Sequence, residues 1–147
     1  MTRLHTVSAE ELRAIRALLE TAGLPTSDLE SARPEFAVVR EDGQIVAAGA
    51  LQRFGSSALL RSVVVAADRR GSGLGQLIVR ELELLASATH VSRLFLLTQT
   101  ASEFFAHQGY RVTERRAVPE EVQGSEEFRS LCPSSAVCMA KSLRSST

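Results

Sequence analysis

Cysteine is scarce in this 147-residue chain, and it has no long apolar run. Cys132 and Cys138 are too few and too close in sequence for a disulfide framework, and they lack the C-x-x-C or histidine spacing of a zinc site. We therefore expect a reducing compartment and no metal centre. The first residues carry no apolar signal-peptide core, and no uncharged run approaches the length that spans a bilayer. These absences favour a cytoplasmic protein that has no membrane partner.

Net charge is also lacking, because 17 Lys and Arg residues balance 17 Asp and Glu residues. A neutral chain has no overall field to hold a nucleic-acid backbone, so nucleic acid is disfavoured as the main partner, while a local anion site remains open. Hydrophobic residues make up 44% of the chain and charged residues 23%, which is typical of a folded domain and not of disorder. We expect a single domain over residues 1–143 and a frayed tail over residues 144–147.

The pattern along the chain predicts an α/β fold (α+β by some schemes), with a mixed central sheet of about six to seven strands flanked by helices. Ser8 and Glu11 form a capping box before apolar residues at helical spacing. Asp42-Gly43 is a strong hairpin signal between two strand-like runs. Strands are predicted at residues 36–40, 45–54, 58–65, 92–98, 110–116 and 135–141, a short helix at 101–108, and a polar connection at 119–133. The run at 58–65 is too apolar for an edge strand, and the strand, helix and strand that start there predict a parallel pair.

Residues 70–75 place three glycines between a buried strand and the start of a helix. Without Cβ atoms, the backbone there can bring several N–H groups to one point, where the helix dipole adds positive charge. The loop is thus a candidate anion site next to Arg69 and Arg70, and a tight turn without a ligand is the alternative. A Walker loop is excluded, because Gly75 is followed by Gln-Leu and not by Lys-Ser or Lys-Thr, and the G-x-G-x-x-G spacing of a dinucleotide fingerprint is missing.

The string Arg70-x-x-Gly73-x-Gly75, after a valine-rich strand and before an amphipathic helix, resembles the acyl-CoA signature of the GCN5-related N-acetyltransferases (GNAT). The order of elements matches that family from about residue 3 to residue 143. The resemblance implies a GNAT fold with splayed central parallel strands, and acetyl-CoA as co-substrate. It also implies that the strand binds the pantetheine arm through its main chain and the loop amides bind the pyrophosphate. The implied cofactor-binding residues are Val63, Val65, Arg70, Gly71, Gly73, Leu74, Gly75 and Phe104.

Residues 116–119 and 127–139 resemble a smaller group, the ArsN-type acetyltransferases associated with arsenic resistance. They are more distantly similar to the domain that acetylates glutamate on the way to arginine. Both resemblances imply a small amine acceptor related to an amino acid, such as arsinothricin or phosphinothricin, which imitate glutamate. Acetylation of such a compound would be a detoxifying step. Dimers are common in the superfamily, so the resemblance also allows a homodimer.

Two positions depart from the family pattern. Many relatives carry Glu where this chain has Arg61, and Phe-Tyr where it has Phe104-Phe105, so the usual base and acid are missing and the catalytic residues stay unassigned. Arg61 is then a candidate for binding carboxylate, phosphinate or arsinate oxygens through its planar guanidinium. A solvent-facing or salt-bridged arginine is the alternative. Thr98 is a second candidate for binding the acceptor, and an ordinary strand-end hydroxyl is its alternative.

Three further assignments stay open. Glu103 and His107 lie one helical turn apart and form either an acid/base pair or a solvated helix face. The segment 129–135 is a candidate acceptor wall, in which Cys132 either contacts a soft arsenic centre or is a small buried hydrophobe. The function that follows is N-acetyl transfer to a small amino-acid-like acceptor. The alternatives are a non-catalytic acyl-CoA sensor or arsenical-binding protein on the same fold, and an acetyltransferase of protein N-termini or aminoglycosides.

Overall fold

A seven-stranded sheet runs through the protein in a computed structural model that describes residues 4–5, 7–131 and 135–143, with side chains for 7–129 and 135–143. The strands are β1 (Leu4–His5), β2 (Glu35–Glu41), β3 (Gln44–Phe54), β4 (Ser57–Val65), β5 (Arg93–Thr98), β6 (Arg111–Val112) and β7 (Val137–Ser142). The α-helices are α1 (Ala9–Thr21), α2 (Leu29–Ala32), α3 (Leu74–Ala88), α4 (Ser102–His107) and α5 (Glu120–Gln123). None of the helices in these described ranges is long and apolar enough to cross a membrane.

The strand order is β1-β2-β3-β4-β5-β7-β6, and the neighbouring strands are antiparallel except for β4 and β5. β4 lies in the middle of this order, as its apolar sequence predicts. It connects through α3 to its parallel neighbour β5, since parallel strands need a crossover of this kind. The predicted α/β fold with a mixed sheet of six to seven strands is confirmed.

The local signals at the start of the chain form the structures that they predict. The Ser8 hydroxyl accepts a hydrogen bond from the Glu11 amide at 3.1 Å, and the Glu11 carboxylate accepts one from the Ser8 amide at 3.0 Å. Asp42 and Gly43 both have positive φ, of +52° and +78°. Two such residues form the hairpin turn whose twist matches that of the flanking strands.

β4 contains a bulge at Ser62. This residue has a φ of +58°, in the left-handed region that a non-glycine residue rarely adopts. The register against β3 shifts there, so that residues 62 and 63 together oppose Gly49. Beyond the bulge, Val63 and Val65 pack in the core beneath α3, whereas Val64 packs on the opposite face of the sheet. The bulge therefore decides which groups the end of β4 presents on each side.

β4 and β5 pair over three residues only, 57–59 with 93–95. Beyond that point β4 continues along β3 to Val65, and β5 continues along β7 to Thr98. The hydrogen-bonded ladder between the two parallel strands therefore stops halfway. Their carboxyl-terminal halves leave backbone groups without a strand partner on the facing sides.

Helices cover both faces of the sheet. α3 packs on one face through Ile78, Val79, Leu82 and Ala86, which are all fully buried. It approaches β3 closely at Gly49, where a Cβ atom would lie 2.6 Å from Cγ2 of Ile78 and 2.8 Å from Cδ1 of Leu82. On the other face, the cluster beneath α1 and α2 contains Ile15, Leu19 and Leu29.

Two predictions for the last third of the chain were wrong in part. The strand expected at 110–116 is only two residues long, because the chain turns into a 3-10 helix at Arg115–Ala117. The expected polar connection at 119–133 contains α5 and a π-helical segment, Glu127–Leu131. Its Val122 and Phe128 are buried against Leu59 and Phe95 of the sheet. The segment is therefore part of the core and not a surface loop.

Gly49→Ala should destabilise the fold. The added methyl group would overlap two side chains that have no free space, and overpacking of this kind costs about 1–3 kcal/mol. For a chain of this size, we expect a fall in Tm of at least about 3 °C in thermal unfolding. Gly124→Ala is the matched control, because its Cβ would meet nothing closer than 3.4 Å. Equal Tm values for the two variants would contradict the close packing of α3 on β3.

Candidate active site

A cleft of about 620 Å³ opens where β4 and β5 separate. The carboxyl-terminal halves of the two strands line it, together with residues 21–25 and with Arg70 and Gly75 of the glycine loop. The lining residues considered below are Arg61, Val63, Val65, Arg70, Gly75, Thr98, Phe104, Phe105 and Glu127. Most of the residues singled out from the sequence are therefore brought together in one place.

The main chain of β4 is directed into the cleft at Val63 and Val65. The Ala66 amide donates to the Val46 carbonyl of β3 at 2.8 Å. Because neighbouring residues of a strand direct their backbone groups to opposite sides, Val65 and Val63 direct theirs away from β3 and toward the cleft. β5 offers no ladder partner at this level, as its pairing with β4 has ended. An extended ligand can therefore bind here as a strand would.

The glycine loop adds further backbone groups that have no backbone partner. Gly71 and Gly73 have φ values of +81° and +86°, and a Cβ atom on either would point into open space. Gly73 is the residue that caps the amino terminus of the 15-residue α3. Across the described residues, the amides of Gly71, Gly73 and Gly75 donate to no other loop or turn carbonyl. The loop thus presents free N–H groups at the positive end of a helix dipole.

Phe104 packs close to Gly75 at the start of α3. A Cβ at Gly75 would lie 3.4 Å from Cζ of Phe104 and 3.7 Å from Cγ2 of Val65. Phe104 also makes an edge contact with Phe105, with ring centroids 5.1 Å apart. Leu74, the first residue of α3, is half-buried against the core beneath the helix. These contacts form an apolar wall beside the free amides.

The two loop arginines have different surroundings. Nε of Arg69 donates to Glu41 at 2.5 Å, and its Nη1 donates to Asp68 at 3.1 Å, so much of its charge is neutralised. Nε of Arg70 donates to the Val65 carbonyl at 3.3 Å, and no acidic partner of Arg70 is seen in the described part of the chain. The sequence suggested positive charge from both residues. In the structure, Arg70 is the one that lines the cleft.

Arg61, which lines the cleft, is held in a buried ion pair. Its side chain has no exposed surface, and its two terminal nitrogens each lie 2.6 Å from a carboxylate oxygen of Asp28. Nη1 also donates to Oε1 of Gln52 at 3.1 Å. Arg61 is therefore the salt-bridged arginine that the sequence left open as an alternative. An acceptor anion that approaches Nη1 or Nη2 would have to compete with Asp28.

Glu127 is a functional candidate that sequence reasoning missed. Its residue surface is 4% exposed, its Oε1 lies 3.6 Å from Nε of Arg61, and it lines the cleft. Burial raises the pKa of Glu127 to about 7, while the charge of Arg61 lowers it and that of Asp28 raises it. In the sequence, Glu127 stands in a polar stretch. No local signal marks its burial, which depends on the packing of this segment against the sheet.

Ser125 and Phe128 position Glu127. The Ser125 hydroxyl donates to the Val122 carbonyl at 2.7 Å and accepts from the Phe128 amide at 3.3 Å, which connects α5 to the π-helical segment. The Phe128 ring packs with Val122 on the sheet. These contacts fix the turn that directs Glu127 into the cleft.

The remaining candidates lie in different surroundings. Thr98 lines the cleft, and its Oγ1 accepts a hydrogen bond from the Ala101 amide at 3.0 Å. Nδ1 of His107 bonds the main-chain oxygen of Glu103 at 2.9 Å, both residues are exposed, and neither lines the cleft. Cys132, with most of the expected acceptor wall at 129–135, lies outside the residues whose side chains are described. Cys138 is buried in the core, and burial raises the pKa of its thiol.

Comparison with known proteins agrees with this geometry. Residues 32–112 match the family model of the acetyltransferase (GNAT) domain. An uncharacterized N-acetyltransferase of Chlorobaculum tepidum is 30% identical over 89 residues, which cover 60% of this chain and 57% of that protein. The amino-acid acetyltransferase of Mannheimia succiniciproducens is 26% identical over 95 residues, which cover 63% of this chain and 22% of that protein. The chain thus matches little more than half of the first relative and about a fifth of the second.

A solved structure extends the similarity over nearly the whole chain. Rv2747 from Mycobacterium tuberculosis, in complex with CoA and NLQ, has a TM-score of 0.78 and 26% identity, over 95% of this chain and 98% of that one. The match to the family model covers more than half of the chain and includes β2 to β6, with the glycine loop and α3 between them. The chain belongs to the GNAT family of acetyltransferases.

Proposed function

We propose that this protein transfers the acetyl group of acetyl-CoA to the amino group of a small amino-acid-like acceptor. The observation that carries the proposal is a set of backbone groups without a strand partner at Val63 and Val65, followed by the amides of the glycine loop, which have no backbone partner. Family membership supports acetyl-CoA as co-substrate, and so does the CoA in the structure of the Mycobacterium tuberculosis relative.

The residues of the cleft fit an elongated thioester. The pantetheine arm carries amide groups, which can pair with the main chain of Val63 and Val65 as an added strand would. The pyrophosphate would lie at the amino terminus of α3, where free amides, the helix dipole and Arg70 all favour negative charge. Gly71 and Gly73 would let the backbone approach it closely.

The reaction needs an unprotonated amine in the cleft. Its nitrogen forms a bond to the thioester carbonyl carbon, the carbonyl oxygen becomes an oxyanion, and the carbon–sulfur bond then breaks. The Val65 amide is directed into the cleft and is the donor we assign to the oxyanion. The departing sulfur takes up a proton, and the products are an N-acetylated acceptor and CoA.

The acceptor class rests on sequence similarity and on the cleft. Amino-acid acetyltransferases are among the relatives, represented by the Mannheimia succiniciproducens protein. The resemblance to ArsN-type enzymes narrows the proposal to glutamate and its phosphinyl or arsinyl analogues, phosphinothricin and arsinothricin. Arg61 and Thr98 both line the cleft, where they would bind such a compound. For Arg61, this requires an exchange of partners with Asp28.

A non-catalytic acyl-CoA or arsenical-binding protein is the second candidate. The observation that favours it is the absence of the usual acid and base, with Arg61 in place of Glu and Phe105 in place of Tyr. Phe105 is buried and packs edge-on against Phe104 and Tyr110, so it offers no proton to a departing sulfur. Acetyl-CoA binding without turnover would be the mark of this alternative.

Gly73→Trp should weaken acetyl-CoA binding at least about tenfold in calorimetric titration, which corresponds to about 1.4 kcal/mol. The indole would fill the open space in front of the loop amides, and the side chain would strain the left-handed backbone at this position. Gly55→Trp is the matched control, because Gly55 also has positive φ and open space but lies in the β3–β4 turn, away from the cleft. Equal affinity in the two variants would contradict the assignment of the loop to the cofactor.

Turnover on a panel of amines tests the acceptor class. We expect release of free thiol from acetyl-CoA with glutamate, phosphinothricin or arsinothricin, because these compounds combine an α-amino group with acidic groups. Polyamines and aminoglycosides serve as the cationic comparison. Turnover confined to the cationic amines would overturn the proposed acceptor class. Binding of acetyl-CoA with no turnover on any amine would favour the non-catalytic alternative.

A further inference from the structure

The cleft needs a group that removes a proton from the acceptor. At neutral pH an aliphatic amine is mostly an ammonium ion, which has no lone pair to attack a thioester. The position where many relatives carry a glutamate on β4 holds Arg61, whose guanidinium stays protonated. The base must therefore come from another element of the fold.

Glu127 is the only carboxyl among the described residues that line the cleft. The other charged lining residues are Arg61 and Arg70, which cannot accept a proton. Glu127 reaches the cleft from the π-helical segment, and its Oε1 lies 3.6 Å from Nε of Arg61. It thus lies beside a residue that we assign to the acceptor.

The ion pair beside Glu127 leaves its carboxylate only partly compensated. Both terminal nitrogens of Arg61 are bound to Asp28, at 2.6 Å each, and Nε donates to Oγ of Ser62 at 3.3 Å. The contact of Glu127 with Arg61 is longer, with Oε1 3.6 Å from Nε. Asp28 adds a second negative charge to the cluster. Two carboxylates around one guanidinium give a net charge of −1 when both are ionised, which attracts an ammonium group. A cationic amine is therefore a suitable third partner.

The protonation behaviour of Glu127 suits the exchange of a proton near neutral pH. Burial raises the pKa of Glu127 to about 7, with Arg61 opposing and Asp28 supporting the rise. These two charged groups face Glu127 from β4 and from the segment before α2. The Cys138 thiol on β7 belongs to the same apolar cluster as Phe128. A carboxyl of this kind is a better base than one with an ordinary pKa.

Resting on the proposed acetyl transfer, we propose that Glu127 is the general base that deprotonates the ammonium group of the acceptor. The carboxylate takes one proton from nitrogen and becomes a carboxylic acid. The freed amine then forms the carbon–nitrogen bond and gives the oxyanion. The carbon–sulfur bond breaks as the carbonyl group forms again, and the second proton of the nitrogen ends on the departing sulfur. Glu127 afterwards returns its proton to water. Asp28 is a positioning residue in this scheme, because it holds Arg61 away from a full ion pair with Glu127.

The test compares the wild-type protein with Glu127→Gln, Glu127→Asp and Asp28→Asn on the best acceptor of the panel, over a range of pH. For the wild type, kcat/KM should first rise with pH through an apparent pKa near 7 and should not rise again at the pKa of the acceptor's own ammonium group, because the ammonium form is the one that binds. Glu127→Gln should lose the first rise and lower kcat/KM at least about 100-fold at neutral pH. Glu127→Asp should recover part of the activity, and its kcat/KM should again show an ionisation in the pH profile. Glu121→Gln, on the exposed side of α5, is the matched control and should equal the wild type.

The Asp28→Asn variant tests whether Glu127 acts as a base or is merely a structural carboxyl group. Without the charge of Asp28, Arg61 can turn toward Glu127 and stabilise its ionised form. The first rise of the profile should then move to lower pH rather than disappear. Infrared titration follows the carboxyl directly, since a band that titrates near pH 7 in the wild type should be missing in Glu127→Gln. Acetyl-CoA affinity should stay within about twofold of the wild type in all variants, because the glycine loop is untouched.

The outcomes distinguish this role from the proposed function. A wild-type protein that acetylates no amine overturns both. Turnover by the wild type together with an unchanged profile in Glu127→Gln overturns the role of Glu127 alone, as does the absence of an infrared band that titrates near pH 7. If Glu127→Gln loses acetyl-CoA binding as well, the Glu127→Asp profile decides the matter. Activity in that variant without any ionisation near neutral pH would then rule out the carboxyl as the base.

Discussion

The bulge at Ser62, which adds one residue to β4, is the constraint on which the geometry of the cleft depends. A non-glycine residue in the left-handed region costs on the order of 1–3 kcal/mol, so the surrounding structure must hold it there. β3 pairs with β4 on both sides of the bulge and supplies that restraint. The bulge shifts by one residue the alternation of side chains between the two faces of the sheet. As a result, Val63 and Val65 pack beneath α3 while their backbone groups are directed toward the cleft. After Val65, the chain leaves β4 and enters the glycine loop at the carboxyl-terminal end of that strand.

A buried ionic cluster forms the other half of the site. Removing Asp28, Arg61 and Glu127 from water is costly, and buried ion pairs seldom add much net stability. The bidentate contact between Asp28 and Arg61 offsets this cost for two of the three groups, since every carboxylate oxygen of Asp28 has a close donor. Glu127 has only the longer contact to Nε. The arrangement is therefore explained better by the protonation state that it gives Glu127 than by stability.

The features that were predictable from the sequence depend on residues close together in the chain. The capping box at Ser8, the hairpin at Asp42-Gly43 and the loop at Gly71 and Gly73 each follow from backbone preferences over a few positions. The strand predicted at 110–116 was wrong in length, because pairing with β7 ends at Val112 and the residue pattern does not show where a partner strand stops. The helices in 119–133 were missed since they are short, and their burial depends on a sheet built from earlier strands.

The sequence by itself determined the GNAT fold, the central place of β4 and the position of the glycine loop at the start of α3. Periodicity, turn residues and the lack of Cβ atoms act locally, so they are visible in the order of residues. Only the tertiary structure decided that Asp28, Arg61 and Glu127 meet, because the first two are 33 positions apart and the third comes from a different segment. The protonation of Glu127 then depends on its burial and on the Arg61 guanidinium, which lies closer to Asp28 than to Glu127. Both are properties of the packed chain, and no short stretch of sequence contains them.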